Sequence, residues 1–345
     1  MATKPKKLLS YQPEYEVTDT IGKGAMGEVL LCHDPYLDRA VAVKRMQLSF
    51  LQSEKMRQRF EREVLVLSYL QHPSIVEIFG FWSSSDGMLN LSMEFVNGWT
   101  LRQILDKDPQ PPLWVSLALL WNTLEALSYA HAEYAHHKIG PVTHRDMKPT
   151  NIMVGFNGRL KLLDFGISRP DLPVEDQELT QEGTQVGTIA YMSPEQAQSQ
   201  RITTATDIFS LGVITWEMLS GKHPFRHSNA MRTTTNIVSL QLSESGLPDT
   251  VPRYVKQIVL RMLEKDSRKR ASAEELLPMM QAAMEGLPRD LSPYLGQYVL
   301  HIRKPENVPP PPNLKPKYAS RPLWQIIAAG CTAGFLFGLL VGKLT

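Results

Sequence analysis

The chain has 345 residues, 43% of them hydrophobic, which is enough for one large or two medium domains with a packed core and excludes disorder along its whole length. Lys and Arg number 37 against 35 for Asp and Glu, so a net charge of +2 offers no bulk attraction for nucleic acid or acidic surfaces. The two cysteines, Cys32 and Cys331, are too few and too far apart for a disulfide framework, which fits a reducing compartment.

An N-terminal segment, residues 1–14, is basic up to Lys7 but lacks the apolar stretch of a secretory signal. From Tyr15 to about Ser92, glycine-bounded β-branched runs predict strands with one helix. The first motif is Ile21-Gly-Lys-Gly-Ala-Met-Gly-Glu-Val29. Dinucleotide-binding folds use the same glycine spacing, but there the third glycine opens a helix. Here Val29, Leu30, Leu31 and Cys32 continue as a strand, so the glycines cap a hairpin suited to lie over phosphates. Gly22, Gly24 and Gly27 let backbone amides approach phosphate oxygens, with Ile21, Lys23, Ala25, Met26, Glu28 and Val29 completing the loop. Val41-Ala-Val-Lys44 then supplies a strand lysine able to hold the α- and β-phosphates of a nucleotide. A helical segment over residues 59–67 follows, and Glu63 is the expected ion-pair partner of Lys44. Glu61 competes, but Val64, Leu67 and Leu70 form an apolar face that turns Glu63 inward.

Helical patterns dominate from Leu101 to about Gly286, among them 113–132, 207–219 and 253–263. Within this region His144-Arg-Asp-Met-Lys-Pro-Thr-Asn151 is followed by Asp164-Phe-Gly166 and by Gly187-Thr-Ile-Ala-Tyr-Met-Ser-Pro-Glu195. With these motifs in this order, residues 15–277 resemble the eukaryotic-like (Hanks-type) protein serine/threonine kinases of bacterial type. The resemblance implies an α+β, two-lobed protein kinase fold over residues 15–285, with a small β-rich N-lobe (15–96) and a larger helical C-lobe (97–285). It implies ATP and magnesium as cofactors, and protein substrates with Ser or Thr acceptors. Asp146 is then the base for the acceptor hydroxyl, Asn151 and Asp164 the magnesium ligands, and Lys44 with Glu63 the phosphate-holding pair. Lys148 and Thr188 match the serine/threonine branch, Thr188 bonding the catalytic loop. Met93 takes the gatekeeper position, the backbone of Glu94 and Val96 faces adenine, and Val29, Ala42 and Met153 sandwich the base. Glu195 and Arg270 occupy the positions of a buried ion pair, and Asp207 that of the carboxylate that holds the catalytic loop's backbone.

Four letters depart from the family's usual pattern: Ser193 stands for alanine, Met147 for leucine, Phe209 for a larger aromatic and Thr143 for an apolar residue. None removes a catalytic group. Arg145 beside the catalytic Asp implies activation by phosphate on Thr180 or Thr184. His131, His136 and His137 cluster before the catalytic loop and read as surface histidines, because no Cys or carboxylate spacing supports a metal site. The rival reading is a membrane-tethered pseudokinase scaffold, against which the intact Lys44, Glu63, Asp146, Asn151 and Asp164 argue.

Beyond the catalytic region, residues 286–322 read as a proline-rich, basic juxtamembrane linker. Residues 323–342, LWQIIAAGCTAGFLFGLLVG, carry no charge and are long enough to cross about 30 Å of hydrocarbon as one transmembrane helix. Lys315, Lys317 and Arg321 precede this span and Lys343 follows it, which places the kinase on the cytoplasmic side, with residues 343–345 as a short tail. Gly330, Gly334, Gly338 and Gly342 recur every fourth residue, a groove along which a second copy can approach. The expected partners are protein substrates, the lipid bilayer and a second copy of the chain, with no nucleic acid.

Overall fold

The computed structural model describes residues 13–24, 27–47, 61, 64–84, 86, 88–132, 140–165 and 189–317. They fall into two compact units, the first ending at Asn97 and the second beginning at Gly98.

The first unit is built on an antiparallel sheet of β1 (Glu16–Gly24), β2 (Gly27–Asp34), β3 (Arg39–Gln47), β4 (Ile78–Ser83) and β5 (Met88–Glu94), in the order β1-β2-β3-β5-β4. β3 has a neighbour on each side, and its consecutive Val41, Ala42 and Val43 are all buried, the unbroken apolar run that a strand covered on both faces requires. Leu30, Cys32, Val41, Val43 and Trp82 form a cluster on one face, with Tyr15 and Phe79 packed against it. Residues 64–67 are helical, and Val64, Leu67 and Leu70 are buried as the expected apolar face demands.

The second unit opens with β6 (Gly98–Thr100), α1 (Leu101–Lys107) and α2 (Leu113–His131). β7 (Ile152–Gly155) and β8 (Leu160–Leu162) then form a hairpin that pairs with β6 in the order β6-β7-β8. Further on come α3 (Pro194–Ala197), α4 (Ala205–Ser220), α5 (Ala230–Ser239), α6 (Arg253–Met262), α7 (Ala273–Ala283) and α8 (Ser292–Arg303). α4 is buried from Thr206 through Leu219, so its apolar residues face inward on every side and it serves as the core of the unit. It stops at Gly221, whose φ of 70° is the left-handed conformation that ends helices and that glycine adopts without a Cβ penalty. The three helices expected here end or begin within two residues of the observed bounds.

The spacer expected over residues 286–322 needs correction, because most of its described part is packed against the second unit. α8 buries Leu295, Tyr298 and Val299, and the Tyr298 hydroxyl donates to Asp108 Oδ2 at 2.8 Å while its ring meets Trp114 edge-on. The Arg303 guanidinium lies 4.6 Å from the centroid of Phe156, in the β7–β8 turn. Further along, Gln297 Nε2 donates to the carbonyls of Pro309 and Pro310, and the amide of Lys317 donates to Glu285 O at 2.7 Å. Composition misled here because the prolines cluster after the helix; Pro293 sits in its first turn, where a missing N–H costs nothing. Among the described residues no helix is long and apolar enough to cross a membrane, and residues 323–342 lie outside them.

Two glycines let α8 dock. A Cβ on Gly158, which has φ of 78°, would lie 1.7 Å from Ser292 O, and one on Gly296 would lie 2.7 Å from Phe156 O. Gly158→Ala is therefore expected to lower stability by about 1–3 kcal/mol in thermal unfolding and to speed protease cleavage between α7 and α8. Unchanged melting and cleavage would show that α8 does not need the close approach.

Candidate active site

Strand register sorts the residues of the glycine loop. Residues directly opposite one another share a face of the sheet, as do residues two apart on one strand. Gly22 pairs with Val29, Val29 with Lys44 and Ala42 with Met93, so these five residues share one face. Lys23, Glu28 and Arg45 share the other, where Arg45 Nη1 donates to Glu28 Oε1 at 3.3 Å. Ile21 is exposed on β1, and β1 and β2 meet at Gly24 and Gly27, so the glycines do cap a hairpin. A Cβ on Gly24 would meet nothing within 4 Å, whereas at Gly27 (φ 142°) it would lie 1.9 Å from Arg45 O. Among the described residues nothing crowds Gly24, whereas Gly27 admits only glycine. The amide of Glu94 is donated to Glu77 O at 2.9 Å, so what its backbone can offer a base is the carbonyl; Val96 follows in the connection after β5. Met153 stands on β7 of the second unit, opposite Thr100 and Lys161. Ala25, Met26, Glu63 and Thr188 lie outside the described residues, as do Thr180 and Thr184.

In the second unit the catalytic loop is held by one buried carboxylate. Asp207, in the first turn of α4 and 1% exposed, accepts the amide of His144 at Oδ2 (2.7 Å) and that of Arg145 at Oδ1 (2.8 Å). His144 is itself buried; its Nε2 lies 2.8 Å from Leu163 O and its ring 4.6 Å from that of Phe165. A carbonyl can only accept, so Nε2 carries the proton. Arg145 has φ of 65° and Asp164 of 52°, a left-handed conformation that costs a non-glycine residue about 1–2 kcal/mol and persists only where surroundings impose it.

This loop presents Asp146, whose Oδ2 receives Lys148 Nζ at 2.7 Å and Asn151 Nδ2 at 3.1 Å. Asn151 Nδ2 also donates to Asp146 O at 2.8 Å, which turns the amide oxygen of Asn151 away as the atom able to bind a metal. The amide of Leu163 donates to Asn151 O at 2.9 Å across the open end of the β7–β8 hairpin, so Asp164 is one residue from that contact. One oxygen from Asn151 and the carboxylate of Asp164 form a hard donor set of the kind magnesium takes, and the residues present fit that ion.

Two supports surround the loop. Arg270 grips Glu195 through Nη1–Oε1 (2.7 Å) and Nη2–Oε2 (3.1 Å), and Thr206 Oγ1 donates to Oε1 at 2.8 Å. Burial would raise the Glu195 carboxyl, but its hydrogen bonds and the Arg270 charge outweigh it and hold the group below its ordinary value. Gln196 Nε2 donates to Arg145 O at 2.8 Å.

One sequence reading is overturned. His131 is not a surface histidine: its side chain is 11% exposed and its Nε2 lies 2.9 Å from Asp207 Oδ2. The signal was present in helical spacing, since Leu120, Leu124, Leu127 and His131 fall on one stripe of α2 and the three leucines are fully buried. His136 and His137 lie outside the described residues.

A family model described as a protein kinase domain matches residues 15–280. Among curated proteins the chain is similar to serine/threonine-protein kinase pkn2 of Myxococcus xanthus, 36% identical over 293 residues that cover 82% of this chain and 34% of that protein. It is also similar to serine/threonine-protein kinase PknD of Protochlamydia amoebophila, 34% identical over 81% of this chain and 30% of that protein. A third relative, serine/threonine-protein kinase pkn3 of Myxococcus xanthus, is 33% identical over 82% of this chain and 53% of its own length. The chain therefore spans between about a third and a half of the length of these relatives.

Removing Arg270 strands a buried carboxylate, so Arg270→Leu should cost about 3–5 kcal/mol in denaturant unfolding at neutral pH. The folded pKa of Glu195 lies below its ordinary 4.5, so the pair's contribution is complete above that value and drains as pH falls toward the lowered one. The gap between parent and variant should narrow across that acid window; a gap constant with pH would remove Glu195 from the account.

Proposed function

The chain belongs to the protein kinase family, and on that premise we propose that it is a membrane-anchored serine/threonine protein kinase that moves the γ-phosphate of ATP to Ser or Thr hydroxyls of proteins. The observation that carries the reading is the Asp146 carboxylate, directed by Lys148 at 2.7 Å and Asn151 at 3.1 Å on a loop fixed to Asp207. The acceptor hydroxyl would be met by this carboxylate, whose Oδ2 receives those two side chains. Its oxygen bonds to the γ-phosphorus, its proton passes to Asp146 and the bond to ADP breaks. Lys148, beside the base, supplies positive charge where the transferring phosphoryl group carries negative charge.

On the sheet of the first unit, Lys44 shares a face with Gly22, Val29, Ala42 and Met93, an arrangement suited to a purine above apolar side chains and phosphates under the glycine hairpin. Asn151 and Asp164 would hold magnesium, which when bound neutralises charge on the phosphates. Ser/Thr rather than Tyr acceptors are supported by Lys148 two residues after the base and by the printed names of the relatives. Phosphate on Thr180 or Thr184 is the proposed activating event.

Incubated with labelled ATP and magnesium, the full chain should label itself or a basic acceptor protein on Ser or Thr, and Asp146→Asn should lose the activity by a factor of about a hundred or more. Phosphopeptide mapping of the same reaction should find Thr180 or Thr184. Nucleotide binding without transfer would favour a scaffold instead.

Residues 323–342 form the proposed anchor, with the kinase domain on the cytoplasmic side and the four glycines as the face for a second copy. The full chain should stay with membranes through a high-salt wash, while a chain ending at Lys317 should not, and Gly334→Leu with Gly338→Leu should abolish pairing in a membrane reporter. Release of the full chain by salt would remove the anchor from the proposal.

A further inference from the structure

Ser193 stands where the family resemblance expects alanine, and its surroundings give the departure a purpose. It opens α3 with a reciprocal cap: Ser193 Oγ accepts the amide of Gln196 at 3.3 Å, and Gln196 Oε1 accepts the amide of Ser193 at 3.0 Å. The cap uses the amide oxygen of Gln196, so its nitrogen must point the other way. That direction leads to Arg145 O, 2.8 Å from Nε2.

Arg145 is the left-handed residue directly before the catalytic aspartate. Its N–H is held by Asp207 from α4 and its C=O by Gln196 from α3, so the peptide units on both sides of its Cα are fixed from two separate elements. The carbonyl gripped by Gln196 belongs to the peptide plane that also contains the amide of Asp146. Rotation of that plane changes ψ of Arg145 and φ of Asp146 together, and so swings the Asp146 side chain. Lys148 Nζ acts on the carboxylate, and Asn151 Nδ2 on the carboxylate and on the Asp146 carbonyl, which belongs to the peptide plane after Asp146 and not to the one before it.

We propose that Gln196 is a positioning residue for phosphoryl transfer: it fixes the Arg145–Asp146 peptide plane and thereby the direction of the catalytic carboxylate, and Ser193 serves to orient it. The inference rests on the reading of Asp146 as the base. It also gives the segment between Asp164 and Glu195 a direct mechanical link to that base, because the first turn after the segment carries the clamp.

Gln196→Glu separates clamp from cap. A glutamate completes the same reciprocal cap and suits the first turn of a helix, but it has no N–H for Arg145 O and sets an anionic oxygen against it. In the full chain this variant should melt close to the parent and keep its KM for ATP, while kcat falls roughly tenfold to a hundredfold. Gln196→Ala, which loses cap and clamp together, should lower both melting temperature and kcat. Hydrogen exchange of the peptide covering residues 143–147 should quicken in both variants, a readout that stands even if the parent transfers no phosphate and the catalytic reading fails. In Gln196→Glu, parent-like kcat and exchange, or a loss of kcat matched by a loss of melting temperature, would overturn the proposal.

Discussion

A single buried carboxylate, Asp207, sets the position of the catalytic loop. It receives two consecutive backbone amides and the imidazole of His131, and it stands in the first turn of α4, where the exposed amides of a helix start favour negative charge. A charge so deep in an apolar helix would be prohibitive without such donors. Because α4 is buried from Thr206 through Leu219, the loop is tied to the core of that unit. The left-handed backbone of Arg145 follows from this, since both amides must face one carboxylate.

Much of this was legible in the sequence, and the limits have physical causes. Motifs marked the glycine hairpin, Lys44, Asp146, Asn151 and Asp164 because phosphate chemistry restricts residue types at fixed spacing. The division of the glycine loop into two faces was not legible, because it depends on which residue of β2 opposes which of β3. His131 was misread because histidines beside a polar loop resemble solvated ones until the leucine stripe of α2 is extended by one turn. Ser193 registered only as a departure. Its partner lies three residues away in sequence, but the group that partner reaches, the Arg145 carbonyl, is 51 residues distant.

The two units hold their candidate site residues by different means. On the five-stranded sheet, side-chain direction is a matter of parity, and a ladder of backbone bonds enforces it. Around Asp146 side chains take the place of a ladder: Asp207, Gln196, Lys148 and Asn151 each bond to a short irregular segment. Around Asp146 the left-handed residues are Arg145 and Asp164, held by individual bonds, while in the first unit Asp38 takes that conformation in the turn between β2 and β3.

The match to the kinase family stops at residue 280, yet the packed chain continues to Lys317. The family model and the packed chain thus end in different places. α8 sets Tyr298 against Trp114 and meets the tip of the β7–β8 hairpin at contacts too close for a methyl group. A protein cut at the homology boundary would bare those aromatic surfaces to water and invite association through them. A chain that keeps those surfaces covered therefore has to run past α8.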